Sequence, residues 1–96
     1  MFVVIMEVTD KARAAPYMDG HNAWIRSGFD EGVFVLIGSL QPGPGGVILV
    51  DDVSREAIDA RVAEDPFVAQ GIVDVRILDV SAWRTDARLD FLKAAA

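Results

Sequence analysis

VFVLIGSLQPGPGGVILV, residues 33–50, is the stretch that decides the fold. Two apolar runs rich in β-branched side chains, residues 33–37 and 47–50, flank a connection in which five of the last six positions are glycine or proline. Such a pattern predicts two strands joined as a hairpin. The chain on either side of this hairpin then determines which kind of sheet it joins.

Before the hairpin, the sequence predicts one strand and one helix. Residues 2–8, FVVIMEV, are almost all β-formers, and they predict the strand. Thr9 or Asp10 can cap the segment that follows. The helix is expected to have Pro16 in its first turn and to end before Gly32.

After the hairpin, a second helix and a fourth strand are predicted. Ser54 is a good N-cap, and the helix that follows it should end near residue 64, because Asp65 precedes a proline and such residues resist the helical conformation. Residues 66–70 predict one short turn, and residues 72–80 predict the strand.

The predicted order is therefore β-α-β-β-α-β followed by a tail. This order is typical of a ferredoxin-like α+β sandwich, in which a four-stranded antiparallel sheet carries both helices on one face. We expect residues 1–82 to form that domain. Residues 83–96 are expected to form a C-terminal tail helix with Thr85 as its cap.

The second face of this sheet is expected to be apolar. The first three strands do not alternate apolar and polar residues, whereas the fourth places Asp74 and Arg76 between apolar neighbours. Since two helices cover only one face, a large apolar patch would remain on the other, and soluble monomers rarely expose such a patch. We expect a homodimer formed through this sheet face; the alternative is that the tail helix folds back over it.

The composition excludes several classes of function. The chain has 96 residues, of which 52% are hydrophobic and 25% charged, with a formal net charge of −6 and no cysteine. No cluster of Lys and Arg favours a nucleic acid or an anionic membrane surface, and we expect neither as a partner. The lack of cysteine and of a signal-peptide pattern fits the cytoplasm. One histidine without cysteine, and no phosphate-binding fingerprint, predict no metal and no cofactor.

His21, the only histidine, is expected on the inward side of the first helix. At about 100° per residue it falls near the centre of the apolar stripe that includes Trp24 and Ile25. On the second helix the same reasoning aims Asp65 towards the sheet, on the side of Ile58 and Val62. Because both helices share one face of the sheet, His21 and Asp65 are expected to form a pair.

Two interpretations of this pair remain open. A carboxylate that orients an imidazole leaves the second ring nitrogen for proton transfer, which is acid/base chemistry. Alternatively, His21 is a hydrogen-bonded core residue and Asp65 is the N-cap of the short turn at residues 66–70.

The segments HNAWIRSGFDEGVFVLIGSL, PGGVILVDDVSREAIDA and AEDPFVAQGIVDVRI resemble the YciI-like (YCII-related) family over about residues 1–80. The resemblance implies a ferredoxin-like fold, a dimer that packs sheet to sheet as a dimeric α+β barrel, and a histidine–aspartate pair in a small pocket. His21 and Asp65 match that pair. The resemblance also implies lyase-like or related chemistry on small organic molecules.

Other candidate site residues follow from the family pattern and its departures. Met18 stands where members often carry an arginine, so a carboxylate substrate loses an anchor. Ser39 is a candidate hydroxyl donor in the pocket, with a turn residue as the alternative. Trp24, Phe67 and Met6 are candidate apolar walls of the pocket, the first two as substrate-binding residues, with plain core as the alternative for all three. Arg61 can either restore a positive charge or form a surface ion pair with Asp65 one turn later.

Three functions are compatible with this pattern. The first is a small cofactor-independent enzyme in which His21 and Asp65 perform acid/base chemistry, of lyase or isomerase type, on a small organic molecule. The second is a non-catalytic ligand-binding or accessory module of the same fold. The third is an assembly protein that acts through its surfaces, for which the tail is the only indication.

Overall fold

A four-stranded antiparallel sheet forms one layer of the protein in the computed structural model, which describes residues 1–94. The strands are β1 (Phe2–Val8), β2 (Phe34–Ser39), β3 (Gly45–Val50) and β4 (Val73–Asp79). Their spatial order is β2-β3-β1-β4, and every neighbouring pair is antiparallel. This is the ferredoxin-like arrangement, so the predicted fold class is confirmed.

Three α-helices pack on one face of the sheet: α1 (Met18–Asp30), α2 (Arg55–Ala63) and α3 (Pro66–Ala69). Ser54 caps α2 as predicted, because its hydroxyl accepts the N–H of Ala57 at 3.0 Å. Pro16 lies in a 3-10 turn just before α1, and Gly32 follows the helix with a φ of 72°, which glycine adopts easily. None of the helices within residues 1–94 is long and apolar enough to span a membrane.

Asp10 occupies the N-cap position of the short 3-10 helix Lys11–Arg13, but neither its side chain nor that of Thr9 makes a capping hydrogen bond. The Thr9 hydroxyl donates to the carbonyl of Ile72 at 3.2 Å, which ties the end of β1 to the start of β4. The Asp10 carboxylate instead accepts from Arg13 at 3.2 Å within a short 3-10 turn. Thr9 therefore binds the residue before β4, whereas Asp10 binds within the segment that leads into α1.

The strands of the hairpin are longer than the apolar runs predicted. Gly38 pairs with Val47 and Ser39 with Gly46, and the Leu40 N–H donates to the Gly45 carbonyl at 3.0 Å. Strand pairing uses only peptide groups, so the glycines weaken these strands without ending them.

The core lies between the helices and the inward-facing side chains of the sheet. Along β1, Phe2, Val4 and Met6 are buried while their neighbours are not, which is the period of two expected for a strand. Ile58 of α2 and Ile72 before β4 are fully buried against them.

The opposite side of the sheet, here called the outer face, is apolar over much of its area. Register places Val3 between Leu49 and Leu78, so neighbouring strands contribute to one row. Leu36 is 49% exposed and Leu78 is 38% exposed. The apolar residues of the outer face are Val3, Ile5, Leu36, Val47, Leu49 and Leu78.

The tail forms a 3-10 helix, Ala87–Leu92, which is shorter than the segment for which a helix was predicted. Its cap is Asp86 and not Thr85: the Asp86 carboxylate accepts the Arg88 N–H at 3.0 Å. That bond, together with the Arg88 guanidinium, holds the pKa of Asp86 below its ordinary value. The Thr85 hydroxyl donates to Asp90 at 2.8 Å. Residues 95–96 of the predicted helix lie outside the described residues.

Candidate active site

His21 and Asp65 lie in contact where α1 meets α3. The His21 Nδ1 is 2.8 Å from Oδ1 of Asp65. Because a carboxylate only accepts hydrogen bonds, Nδ1 is the nitrogen that donates its N–H in this contact. Nε2, the second ring nitrogen, takes no part in it. The His21 side chain is 15% exposed, whereas Asp65 is fully buried.

Asp65 holds two elements at once. Its Oδ1 also accepts the backbone N–H of Phe67 at 3.1 Å, so Asp65 is the N-cap of α3. The two interpretations of Asp65 from the sequence are thus compatible in geometry. Among the described residues its Oδ2 has no hydrogen-bond partner, so the contact with the imidazole is an important compensation for burying this carboxyl group.

A close approach of the two helices permits this contact. A Cβ added at Gly20 would lie 3.0 Å from Cγ of Pro66, which is tighter than nearly all real Cβ contacts. Gly20 precedes His21, and Pro66 follows Asp65. The missing side chain therefore lets α1 come near enough for the imidazole to reach the carboxylate.

Phe67 covers one face of the imidazole. Its ring lies parallel to that of His21, with centroids 4.0 Å apart and an interplanar angle of 9°. The ring of Trp24 is farther away, at 6.1 Å, and its Nε1–H donates to the Arg61 carbonyl at 2.8 Å. Phe67 and Asp65 together fix both the plane and the direction of the imidazole.

A cavity of about 380 Å³ adjoins His21. It lies at the end of the sheet where Met6, Gly46 and Ser39 form one inward-facing row across β1, β3 and β2. Gly46 contributes no side chain to this row, which leaves space under α1. The lining residues are Met6, Val8, Met18, His21, Asn22, Ile37, Gly38, Ser39, Gly45, Gly46, Ile48, Phe67 and Val73.

The cavity wall is largely apolar and carries few polar side chains. Within the described part of the chain these are His21, Asn22 and Ser39, and no Asp, Glu, Lys or Arg lines the cavity. No group of three potential metal-binding side chains occurs in residues 1–94. The cavity thus suits an uncharged molecule with one or two hydrogen-bonding groups.

The predicted site residues occupy different places relative to this cavity. His21, Ser39 and Phe67 line it, and Asp65 lies behind His21. Trp24 is buried in the core and does not line the cavity. Asn22, one residue after His21, is a lining residue that sequence reasoning missed, because its position on the helix falls outside the apolar stripe. The only feature of the sequence that could have suggested Asn22 is its position next to His21.

Arg61 does not pair with Asp65, and that expectation is wrong. Its guanidinium binds Glu31 at 3.0 Å and lies 5.9 Å from the centroid of the Phe34 ring. The residue faces the C-terminal end of α1, because Asp65 turns inward to His21. Arg61 therefore supplies no positive charge to the cavity.

Comparison with known proteins identifies the family. The sequence profile of the YCII-related domain matches residues 1–83. The chain belongs to the YCII-related domain family. No curated protein sequence matches it. A similar solved structure is that of 5-chloro-2-hydroxyhydroquinone dehydrochlorinase (TftG) from Burkholderia phenoliruptrix AC1100, in complex with 2,5-dihydroxybenzoquinone.

The likeness to TftG supports the fold assignment. The TM-score is 0.65 over 85% of this chain and 95% of that chain, at 14% sequence identity. At 14% sequence identity, this similarity shows a shared fold and says nothing about shared site residues. The tail after residue 83 lies outside the family match.

Proposed function

We propose that this YCII-related protein is a small homodimeric enzyme of lyase or isomerase type, which uses His21 and Asp65 for acid/base chemistry on a small uncharged organic molecule. The observation that carries the proposal is the 2.8 Å contact between the two side chains beside a cavity that His21 lines. No cofactor takes part in the proposed reaction.

His21 is the proposed general base and acid. With Nδ1–H donated to Asp65, Nε2 carries the lone pair and is the nitrogen available to a bound molecule. In an elimination, Nε2 takes the proton of a C–H bond, the electrons of that bond form the new double bond, and the leaving group departs with its own pair. In an isomerisation, the same proton returns to a different atom of the substrate.

Asp65 is a positioning residue in this proposal. It does not line the cavity, so it acts through the imidazole and stabilises the imidazolium that forms when Nε2 takes the proton. Phe67 restricts rotation of the ring by stacking on it. Ser39 and Asn22 are the proposed hydrogen-bonding partners of the substrate, because they are the other polar side chains of the wall.

The ligand class follows from the charge and shape of the wall. Without a cationic side chain there is nothing to balance a carboxylate or phosphate, whereas the apolar wall suits a planar ring with hydroxyl or carbonyl groups. TftG, named as a dehydrochlorinase and solved with 2,5-dihydroxybenzoquinone, supports lyase-type chemistry on such a ring. Trp24, buried behind His21, contributes to the site only by packing.

The homodimer belongs to the same proposal. The outer face carries six apolar side chains, and two copies that pack these faces together would remove them from water. The absence of cysteine favours a reducing compartment, and we place the protein in the cytoplasm.

The test compares His21→Gln and Asp65→Asn with Glu64→Gln, a control next to Asp65 on an exposed residue. The probe is 5-chloro-2-hydroxyhydroquinone, whose phenol groups are uncharged near neutral pH; its binding is followed by thermal shift and its conversion by chloride release. We expect His21→Gln to lower turnover by about 10²–10⁴-fold, the usual range for a general base, and Glu64→Gln to leave it unchanged. Full turnover in folded His21→Gln would disprove the acid/base role.

A second candidate function is a non-catalytic binding module. The observation that favours it is the cap bond from Asp65 to Phe67, which gives the aspartate a structural use without catalysis. In that case 5-chloro-2-hydroxyhydroquinone stabilises the wild-type protein without being converted, and His21→Gln lowers thermal stability as well as binding.

A further inference from the structure

The tail presents large apolar side chains to solvent in an ordered loop. Trp83 is 80% exposed, Phe91 is 55% exposed and Leu89 is 43% exposed. The loop is nevertheless closed on itself, because the Ala94 N–H donates to the Ala82 carbonyl at 2.8 Å. A segment that holds its own shape while exposing aromatic rings is typical of a surface that is covered in the assembled protein.

Side chains of the outer face remain open in the single chain, because Leu36 is 49% exposed and Leu78 is 38% exposed. Leu92 is the one buried side chain of the tail among the described residues, and it lies outside the main core cluster. The molecule is also elongated: its radius of gyration is 13.8 Å, whereas a compact chain of this length has about 12.5 Å, and its longest dimension is 45 Å against 27 and 19 Å for the others.

The outer face alone is small for a stable dimer. Four strands at about 4.8 Å spacing, over the three rows of outward-facing side chains, cover about 400 Å². A typical stable interface buries about 800 Å² on each partner. Trp83 and Phe91, at their present exposures, would add roughly 250 Å² if they were covered. Because the tail follows β4 directly, this surface continues from Leu78 at the edge of the outer face.

Charge favours a second copy as the partner of the tail. Residues 1–82 carry six basic and thirteen acidic side chains, a formal charge of −7. Residues 83–96 carry three basic and two acidic side chains, a formal charge of +1. Two acidic domains repel each other, and a basic segment reaching across to the opposite domain offsets part of that repulsion.

We propose that residues 83–92 form an arm that packs on the partner copy beside its outer face, with Trp83 and Phe91 as the main contacts. This inference rests on the sheet-to-sheet dimer proposed above. Each domain then contributes one arm, so the two contacts are equivalent by the twofold symmetry of a dimer. All of the arm except Trp83 lies beyond the family match, which ends at residue 83.

The experiment measures dimer dissociation of the full-length chain by sedimentation equilibrium. The test variant is Trp83→Ser with Phe91→Ser, and Gln70→Ser is the neutral control on an exposed residue of the helical layer. We expect the dissociation constant of the double variant to rise at least about tenfold, the loss typical of central aromatic contacts, and that of the control to stay unchanged. Circular dichroism verifies that each variant is folded.

Leu49→Lys tests the outer face separately from the arm, and Leu36→Lys, at a position that is already half exposed, replaces it if the central substitution disrupts the sheet. We expect both to give monomers. The fluorescence of Trp83 provides a second measurement, obtained as the difference between the emission spectra of the wild type and of Trp83→Phe. Its maximum should move to shorter wavelength when the dimer forms, because the indole leaves water, and should move back to longer wavelength on dilution.

The outcomes separate the two proposals. A double variant that dissociates like the wild type, with Trp83 emission unchanged by association, overturns the arm and leaves the sheet-to-sheet dimer standing. A wild-type chain that remains monomeric at high concentration overturns both. A dimer that survives Leu49→Lys and Leu36→Lys refutes the sheet contact, and with it the placement of the arm beside it.

Discussion

At the scale of single residues, Asp65 joins the candidate chemistry to the stability of the fold. One carboxylate oxygen accepts both the imidazole and the first N–H of α3. From the sequence, the pair with His21 and the cap of α3 were alternative roles for Asp65, because a helical wheel describes each helix separately. Only the three-dimensional arrangement places both donors around one oxygen.

We predict that Asp65→Ala destabilises the protein by about 2–3 kcal/mol, because it leaves the buried Phe67 N–H without an acceptor and removes the partner of His21. Asp65→Asn should cost less, since the amide oxygen still accepts one bond. Urea unfolding followed by circular dichroism measures both, with Glu64→Ala as the exposed control. Equal stability of Asp65→Ala and Glu64→Ala would show that neither bond matters to the fold.

At the scale of the elements, the packing of α1 on the sheet depends on Gly28. A Cβ at this position would lie 2.1 Å from Cδ2 of Phe34, a distance that no structure accommodates without movement. Phe34 is itself held between Trp24 and Phe29 by edge-to-face ring contacts. Gly28 therefore fixes how closely the helix approaches β2.

We predict that Gly28→Ala lowers the free energy of unfolding by about 1–3 kcal/mol, as overpacking does in other cores. Replacing glycine by alanine inside a helix normally stabilises it by roughly 1 kcal/mol, so even the sign of the effect tests the contact. The companion change is Gly20→Ala, whose Cβ meets only the ring edge of Pro66 and should cost less. A stabilised Gly28→Ala protein would contradict the packing described here.

The sequence predicted the order of elements better than it predicted the shape of the site. Apolar periodicity identified both long helices and placed His21 and Asp65 on their inward sides. It missed Asn22 and the contribution of Gly46, because a cavity depends on which side chains are absent from neighbouring strands, and strand register is a long-range property. In the tail, a helix is present as the 3-10 helix Ala87–Leu92, but its cap is Asp86 and not Thr85, whose hydroxyl binds the Asp90 carboxylate instead.

At the scale of the whole molecule, the outer face determines whether the chain acts alone or in pairs. Leu49 lies at its centre, between Val3 of β1 and Leu36 of β2. The side chains around it are apolar on three strands, which is unusual for a surface that stays in water.

We predict that the melting temperature of the wild-type protein rises with protein concentration, because association stabilises only the folded chain. Leu49→Lys should abolish this dependence and melt at the lower temperature at every concentration. Differential scanning calorimetry over a hundredfold range of concentration provides the measurement. A melting temperature independent of concentration in the wild type would be incompatible with the dimer.

The double use of the Asp65 oxygen has a consequence for how this site changes over evolutionary time. A lineage that abandons the reaction still gains from keeping the aspartate, since without it α3 loses its cap. In the proposed function His21 serves the reaction, whereas Asp65 serves both the reaction and the cap of α3. Among descendants of such a chain, loss of the imidazole would therefore indicate loss of the proposed reaction, whereas retention of Asp65 would not show that the reaction is kept.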